Sequence, residues 1–351
     1  MQAVTIKDVA RAAGVSSATA SRVLSGNPAT STESRAKVEA AAAKLGFLPN
    51  AQARSLRSTK TDSIALLISD VRNPYFSDLA HAVEQHARSL GLVTFIGNAD
   101  EDIAQQDDFL AAMLSRRVDG LLIVPQGLGE DSNKPSDMLQ RVIDSPIPTV
   151  FVDRTVANAG IPSVTARSDE AMIHAVADLK AKGHERIAFL GGPKHASTAS
   201  ERQLAFAAAL RQAGLRIDPQ LHFTGDFKRS SGRAGAQWFS GHLQHPTAVI
   251  IADAPMALGA ISYWQETGAR IGEEFSVISF DEVDALLLHE PPIATISHDL
   301  EQMGRAALNA LTALMRSEDT AAVQLTSHYS PRASVDTAPR LNLTTERNPR
   351  P

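Results

Sequence analysis

Thr5-Ile6-Lys7-Asp8-Val9-Ala10-Arg11-Ala12-Ala13-Gly14-Val15-Ser16-Ser17-Ala18-Thr19-Ala20-Ser21-Arg22-Val23-Leu24 reads as two short helices joined by one glycine. Thr5 followed by Asp8 is close to a capping box, and Ile6, Val9, Ala10 and Ala13 recur at helical spacing. Gly14 ends that helix because glycine takes the left-handed turn at little cost, and Val15 plugs the corner. Ser16 caps a second helix to about Leu24, with Thr19, Ala20 and Val23 on its packing side. Gly26-Asn27-Pro28 then stops it, and Ser31 caps a third helix to Leu45, with Gly46 at its end. The pattern predicts a helix-turn-helix unit. Its second helix suits a major groove: Ser16, Ser17, Ala18 and Thr19 are small and outward, and Arg22 can pair with a guanine edge.

Charge divides the chain at the same place. Residues 1–60 hold nine basic and three acidic side chains, while the 351-residue whole carries a net −5. A basic head on an acidic body predicts a nucleic-acid-binding module joined to one that avoids nucleic acid. From residue 62 the pattern changes to apolar strands alternating with helices. Strands are expected near 63–69, 92–96, 120–124 and 148–152, and again near 186–190, 248–251, 276–279 and 323–327. Two such βα runs mean two doubly wound parallel sheets, an α/β body of two lobes. Ligands of open α/β sheets bind beyond the carboxyl ends of the strands. Asp70 to Phe76, Asp153-Arg154, Asp253 and Asp281 follow predicted strands, and carboxylates at such ends suit a polyhydroxylated solute.

The run Thr5-Ile6-Lys7-Asp8-Val9-Ala10 … Ala13-Gly14-Val15-Ser16 … Thr19 … Ser21-Arg22-Val23-Leu24, continued by Lys37-Val38-Glu39-Ala40-Ala41 … Leu45-Gly46-Phe47-Leu48-Pro49-Asn50, resembles the headpiece of the lactose-repressor (LacI/GalR) family. That resemblance implies Ser17, Ala18 and Arg22 as base readers, with Thr5, Ser16, Thr19, Ser21 and Asn50 mostly on phosphates. It makes Ala51 to Arg57 a hinge helix. Leu56 is then a minor-groove wedge, and Arg54 and Arg57 lie beside phosphates. The body resembles the same family's periplasmic-binding-protein-like effector domain through Asn73-Pro74-Tyr75-Phe76, Lys182-Gly183-His184-Glu185-Arg186, Arg202, Gly225-Asp226-Phe227, Met256-Ala257-Leu258-Gly259-Ala260 and Phe280-Asp281. Arg202 and Asp281 are the implied clamps on the effector, Phe227 the platform beneath it, and Tyr75, Phe76 and Asp153 the lining of the other lobe. The implied domains are a headpiece over 1–48, a hinge and linker over 49–61 and an effector domain over 62–340. Its first lobe takes 62–160 and 292–322, its second 161–291 and 323–340, and 341–351 is a disordered tail. One departure is Asp253-Ala254, where the family usually has Asn-Asp. As an acceptor-only carboxylate, Asp253 is expected to repel anions and favour a neutral sugar, a polyol or a nucleoside, with a pentose such as ribose as the first guess.

The expectation is a transcriptional repressor of an uptake or catabolic operon, acting as a homodimer on a palindromic operator in double-stranded DNA. Residues 341–351 lack the leucine heptads of a tetramerisation tail. A periplasmic-type sugar-binding protein is the alternative. It is opposed by the head and by the lack of an apolar leader in the first 30 residues, which places the chain in the cytoplasm. No run is long enough for a membrane helix. With no cysteine, thiolate metal sites and cysteine nucleophiles are excluded. Neither Gly-x-Ser-x-Gly, His-Glu-x-x-His nor a Walker loop occurs, so no enzyme, cofactor or metal is expected. His174, His184 and His298 read as surface or capping residues.

Overall fold

A computed structural model describes residues 4–24, 29–47, 61–128, 134–241 and 245–339. The chain divides into two compact units, Met1–Thr61 and Asp62–Pro351. The expected hinge with Asn50, Arg54, Leu56 and Arg57, the Gly26-Asn27-Pro28 turn and the tail over 341–351 lie outside the described residues.

In the first unit, α1 (Ile6–Ala13), α2 (Ser17–Leu24) and α3 (Thr32–Leu45) surround a small core. Val9, Ala10, Ala13, Ala20, Val23, Val38, Ala41 and Ala42 are its buried members. Caps define the ends. The Asp8 carboxylate accepts from the Thr5 hydroxyl at 2.6 Å and the Thr5 N–H at 3.0 Å. Gly14 sits at φ 68°, which lets the Val15 N–H reach the Ala10 carbonyl at 3.0 Å. Ser16 Oγ accepts from the Thr19 N–H, and Ser31 Oγ from the Ser34 N–H.

The second unit has two lobes. The first is built by β1 (Ser63–Ile68), α4 (Pro74–Ser89), β2 (Val93–Asn98), α5 (Ile103–Arg116), β3 (Gly120–Ile123), α6 (Asp137–Ile143), β4 (Thr149–Val152) and β5 (Ser163–Arg167). The chain then builds α7 (Asp169–Ala181), β6 (Ile187–Gly191), α8 (Ser197–Gln212), β7 (His222–Thr224), α9 (Arg229–Ser240), β8 (Ala248–Ile251), α10 (Ala254–Thr267), β9 (Ser276–Phe280), α11 (Asp284–Leu287) and β10 (Ala294–Ser297). It returns through α12 (Leu300–Met315) and β11 (Val323–Thr326) to the first sheet, and ends with β12 (His328–Ser330) on the second.

The sheet orders are β11-β5-β4-β3-β1-β2 and β12-β10-β9-β8-β6-β7. Pairing is parallel throughout, except that β12 runs antiparallel to β10. The strands β1, β3, β4, β6, β8 and β9 are fully buried apolar runs, as sheets covered by helices on both faces require. On the second lobe α9 and α10 pack backbone to backbone. A Cβ on Gly232 or Gly259 would lie 2.0 Å from a carbonyl oxygen of the other helix.

Sheet membership moves the expected lobe boundaries. Residues 163–167 and 323–326 pair with each other in the first sheet, and 294–297 belong to the second. The chain therefore crosses between lobes near Ser168, His298 and Ser327. The expected divisions at 161, 292 and 323 followed continuity along the chain, whereas long-range pairing decides which sheet a short strand joins. His184, expected at the surface, is fully buried. Its ring bonds Thr247 Oγ1 and the Asp336 carbonyl, each at 2.9 Å, and ties the last segment onto the second lobe. His174 is exposed.

Candidate functional site

The carboxyl ends of the two sheets place their loops around one cavity of about 20 Å³. Its lining is Asn73, Tyr75, Phe76, Glu101, Asp153, Arg154, Thr198, Arg202, Phe227, Asp253 and Asp281. All seven effector residues expected from the sequence meet here. Tyr75 and Phe76 arrive on the first turn of α4, which Asn73 caps through the Tyr75 N–H at 3.1 Å. Asp153 follows β4, Asp253 follows β8 and Asp281 follows β9. Arg202 lies on α8 and Phe227 follows β7. Asp153, Phe227 and Asp281 hold left-handed backbones, with φ of 65°, 62° and 65°. Non-glycine residues in that region are strained, and such strain clusters at ligand sites.

Two cations set the electrostatics. Arg154 donates twice to Glu101, at 2.7 Å each, with both side chains almost wholly buried. Its guanidinium lies 5.2 Å from the Phe227 ring of the second lobe and 5.8 Å from Phe76 of the first. Burial works against that charge, and the Glu101 carboxylate more than restores it, so the group is held protonated. Arg202 donates to the Ala252 carbonyl, lies 3.7 Å from Asp281 and stacks 4.3 Å over Phe280.

The acids differ in their partners. Asp153 accepts from the Tyr75 hydroxyl at 2.7 Å, and burial together with that carboxylate pushes the phenol well up. The same hydroxyl meets His298 Nε2 at 3.1 Å. His298, expected at the surface, is half-buried on a crossover, and burial lowers its pKa to about 4. Asp281 accepts from the Ala254 N–H at 3.3 Å; burial pushes it up and Arg202 partly offsets this. Asp253 caps α10 through Oδ1, which accepts from the Met256 N–H at 2.9 Å. Burial, and then the neighbouring Asp281, push Asp253 well above the carboxylate range.

The sequence missed Glu101 and Thr198 as lining residues, while Asn73 and Arg154 fall in the strand-end stretches Asp70 to Phe76 and Asp153-Arg154. Glu101 follows β2 and Arg154 follows β4, so the strand-end rule reaches both. Asp70 obeys that rule too, but it turns away to bond the Arg72 backbone and guanidinium and does not line the cavity.

In the head, Ser16, Ser17, Ala18 and Arg22 are exposed on α2 and the turn before it, Thr19 and Ser21 are half-buried, and Thr5 is exposed at the start of α1. Arg22 Nε donates to the Ala18 carbonyl at 3.4 Å along the helix.

A helix-turn-helix with a small-residue face, joined to a body with a charged cavity between two α/β lobes, defines a ligand-responsive DNA-binding regulator. Residues 5–50 match the model of bacterial regulatory proteins of the lacI family, and residues 176–335 that of a periplasmic binding protein-like domain. The HTH-type transcriptional repressor PurR of Photobacterium profundum is 31% identical over 88% of this chain and 90% of its own. The HTH-type transcriptional repressor CytR of Escherichia coli K12 is 30% identical over 90% of this chain and 91% of its own. Among solved structures, the Lac repressor dimer bound to operator and the anti-inducer ONPF superposes with a TM-score of 0.82. It is 27% identical, over 95% of this chain and all of that one. The chain belongs to the lacI family of bacterial regulatory proteins. It is a DNA-binding transcriptional regulator and not an enzyme. No helix among the described residues is long and apolar enough to cross a membrane.

Proposed function

We propose that this regulator is a cytoplasmic homodimeric repressor whose hold on a palindromic operator is set by a neutral polyhydroxylated solute in the cavity between the lobes. One observation carries the reading. The cavity's two buried guanidiniums are each matched by a carboxylate, Arg154 by Glu101 and Arg202 by Asp281. Neither guanidinium keeps an uncompensated charge for a phosphate, while Asp153, Asp281 and Arg202 offer acceptors and donors to vicinal hydroxyls. Phe227 and Phe76 supply the apolar walls on which a sugar face packs.

The cavity's size supplies the coupling. A volume of about 20 Å³ has room for about one water. A sugar therefore enters only as the lobes part, and its binding free energy is tied to lobe geometry. The operator is read by Ser17, Ala18 and Arg22. Thr5, Ser16, Thr19, Ser21, Asn50 and Arg54 contact phosphates, and Leu56 wedges the minor groove. Solute and operator then shift each other's affinity reciprocally, typically by ~1–3 kcal/mol.

The test is a gel shift of the full-length chain on a palindrome from its own upstream region, with and without D-ribose, D-glucose, ribitol or cytidine. One of these is expected to change retention, Arg202→Ala to lose that response while still retaining DNA, and Leu56→Ala to weaken retention alone. A wild-type chain that binds the palindrome and ignores all four, or an Arg202→Ala chain that responds normally, overturns the reading.

A further inference from the structure

Asp253 stands apart from the other acids of the cavity. It is 3% exposed, Oδ1 is used up on the Met256 N–H, and Oδ2 is buried with no partner among the described residues. The groups that face it are the Asp281 carboxylate after β9, Arg202 on α8, Glu101 after β2, Arg154 after β4 and the first turn of α10. Both cations are already engaged, Arg202 by Asp281 and the Ala252 carbonyl, and Arg154 by Glu101. Two neighbouring buried carboxyls do not both ionise. Of this pair Asp281 has the guanidinium, so the shared proton belongs on Asp253.

We infer that Asp253 is the hydrogen-bond donor of this site: its Oδ2 carries a proton and presents it to an acceptor oxygen of the solute, while the ionised Asp281 beside it accepts from a solute hydroxyl. The inference rests on the cavity being the solute site. A carboxylic acid kept neutral in a dry site donates as a hydroxyl does. The donor takes any accepting oxygen of the solute, a ring oxygen or a hydroxyl, and the neighbouring acceptor takes a hydroxyl proton. Burial and the charge of Asp281 act on Asp253 in the same sense. Raising the pH therefore removes the donor and weakens binding.

Infrared difference spectra of the full-length protein at neutral pH, wild type minus Asp253→Asn, test this directly. A protonated carboxyl C=O stretch is expected without solute, moving to lower frequency with whichever of D-ribose, D-glucose, ribitol or cytidine changes operator retention. In titration calorimetry Asp253→Ala is expected to weaken the solute that moves the band about tenfold, the value of one hydrogen bond. Asp253→Asn, whose amide N–H also donates, should regain most of that loss and lack the alkaline decline of the wild type. A missing band, a band that none of the four solutes moves, or an Asn variant no better than Ala overturns the inference. Loss of every solute response in the gel shift with the band intact overturns the proposed function instead.

Discussion

In the head, Lys37 meets Glu33 at 2.7 Å with 57% and 78% of the side chains in water. In the body, Arg154 meets Glu101 at the same 2.7 Å with 3% and 5% exposed. The bond lengths are equal and the consequences are not. Water screens the first pair, which contributes little. The second lies in a low dielectric, where either partner alone is an uncompensated charge. The same contrast holds for the functional groups. The head offers Ser17, Ala18 and Arg22 on an exposed face, ready for a large rigid partner. The body seals Asp153, Arg202, Asp253 and Asp281 at 3–8% exposure, which suits a small partner that must be enclosed.

The largest effect comes from breaking the buried pair. Arg154→Ala strands the Glu101 carboxylate and is expected to cost ~3–5 kcal/mol in urea unfolding of the body. The double change Arg154→Met with Glu101→Gln should recover most of that. A single variant within ~1 kcal/mol of wild type would mean that the pair is screened like Lys37–Glu33. Gly259→Ala comes next. Its new Cβ would lie 2.0 Å from the Arg229 carbonyl oxygen, so α9 and α10 must move apart. Overpacking of that kind costs ~1–3 kcal/mol. Thermal unfolding of the full chain should show a lower body transition with the head unaffected.

The same contrast explains what the sequence disclosed. In the head, short-range chemistry fixes the structure: Thr5 with Asp8, Gly14, Ser16, Ser31 and Gly46 act within a few residues, so pattern reading reached their roles. In the body, Asp153, Asp253 and Asp281 were legible because they follow apolar strands long enough to recognise. Glu101 was not, because β2 is a largely exposed edge strand whose apolar run stops at Ile96. The short strands β5, β7, β10 and β12 were not legible either. Each has three to five residues, and partners distant in sequence decide its sheet. Burial also escaped sequence reading. Nothing local distinguishes the outward pairing of Asp70 with Arg72 from the sealed Asp253.

A smaller effect follows from His298, whose crossover position separates it from the exposed His174. Burial lowers its folded pKa to about 4 from an ordinary 6.5. The unfolded chain therefore binds the proton first as pH falls. Its contribution is complete above the unfolded value and is lost between 6.5 and about 4. The loss at about pH 5 is expected to be ~2 kcal/mol. Buried His184 and half-buried His195 and His222 are lowered in the same sense, so the measurement is a difference. Unfolding midpoints of His298→Gln and wild type should converge on acidification. Parallel pH profiles would show that burial does not hold the ring neutral.

The smallest effects belong to the head and test whether its structure is as local as its caps imply. Gly14→Ala places a Cβ where nothing lies within 4 Å, yet at φ +68° the backbone is one that alanine resists. The expected cost is ~1 kcal/mol, all from backbone and none from contact, the opposite of Gly259→Ala. Lys37→Ala should cost the least of all and lose even that at high salt. Hydrogen exchange of the α1–α3 amides in the full-length chain measures both. A Gly14→Ala loss much above ~1 kcal/mol would mean that the turn carries packing the structure does not show. A salt-insensitive Lys37 effect would mean that its aliphatic stem, and not its charge, stabilises α3.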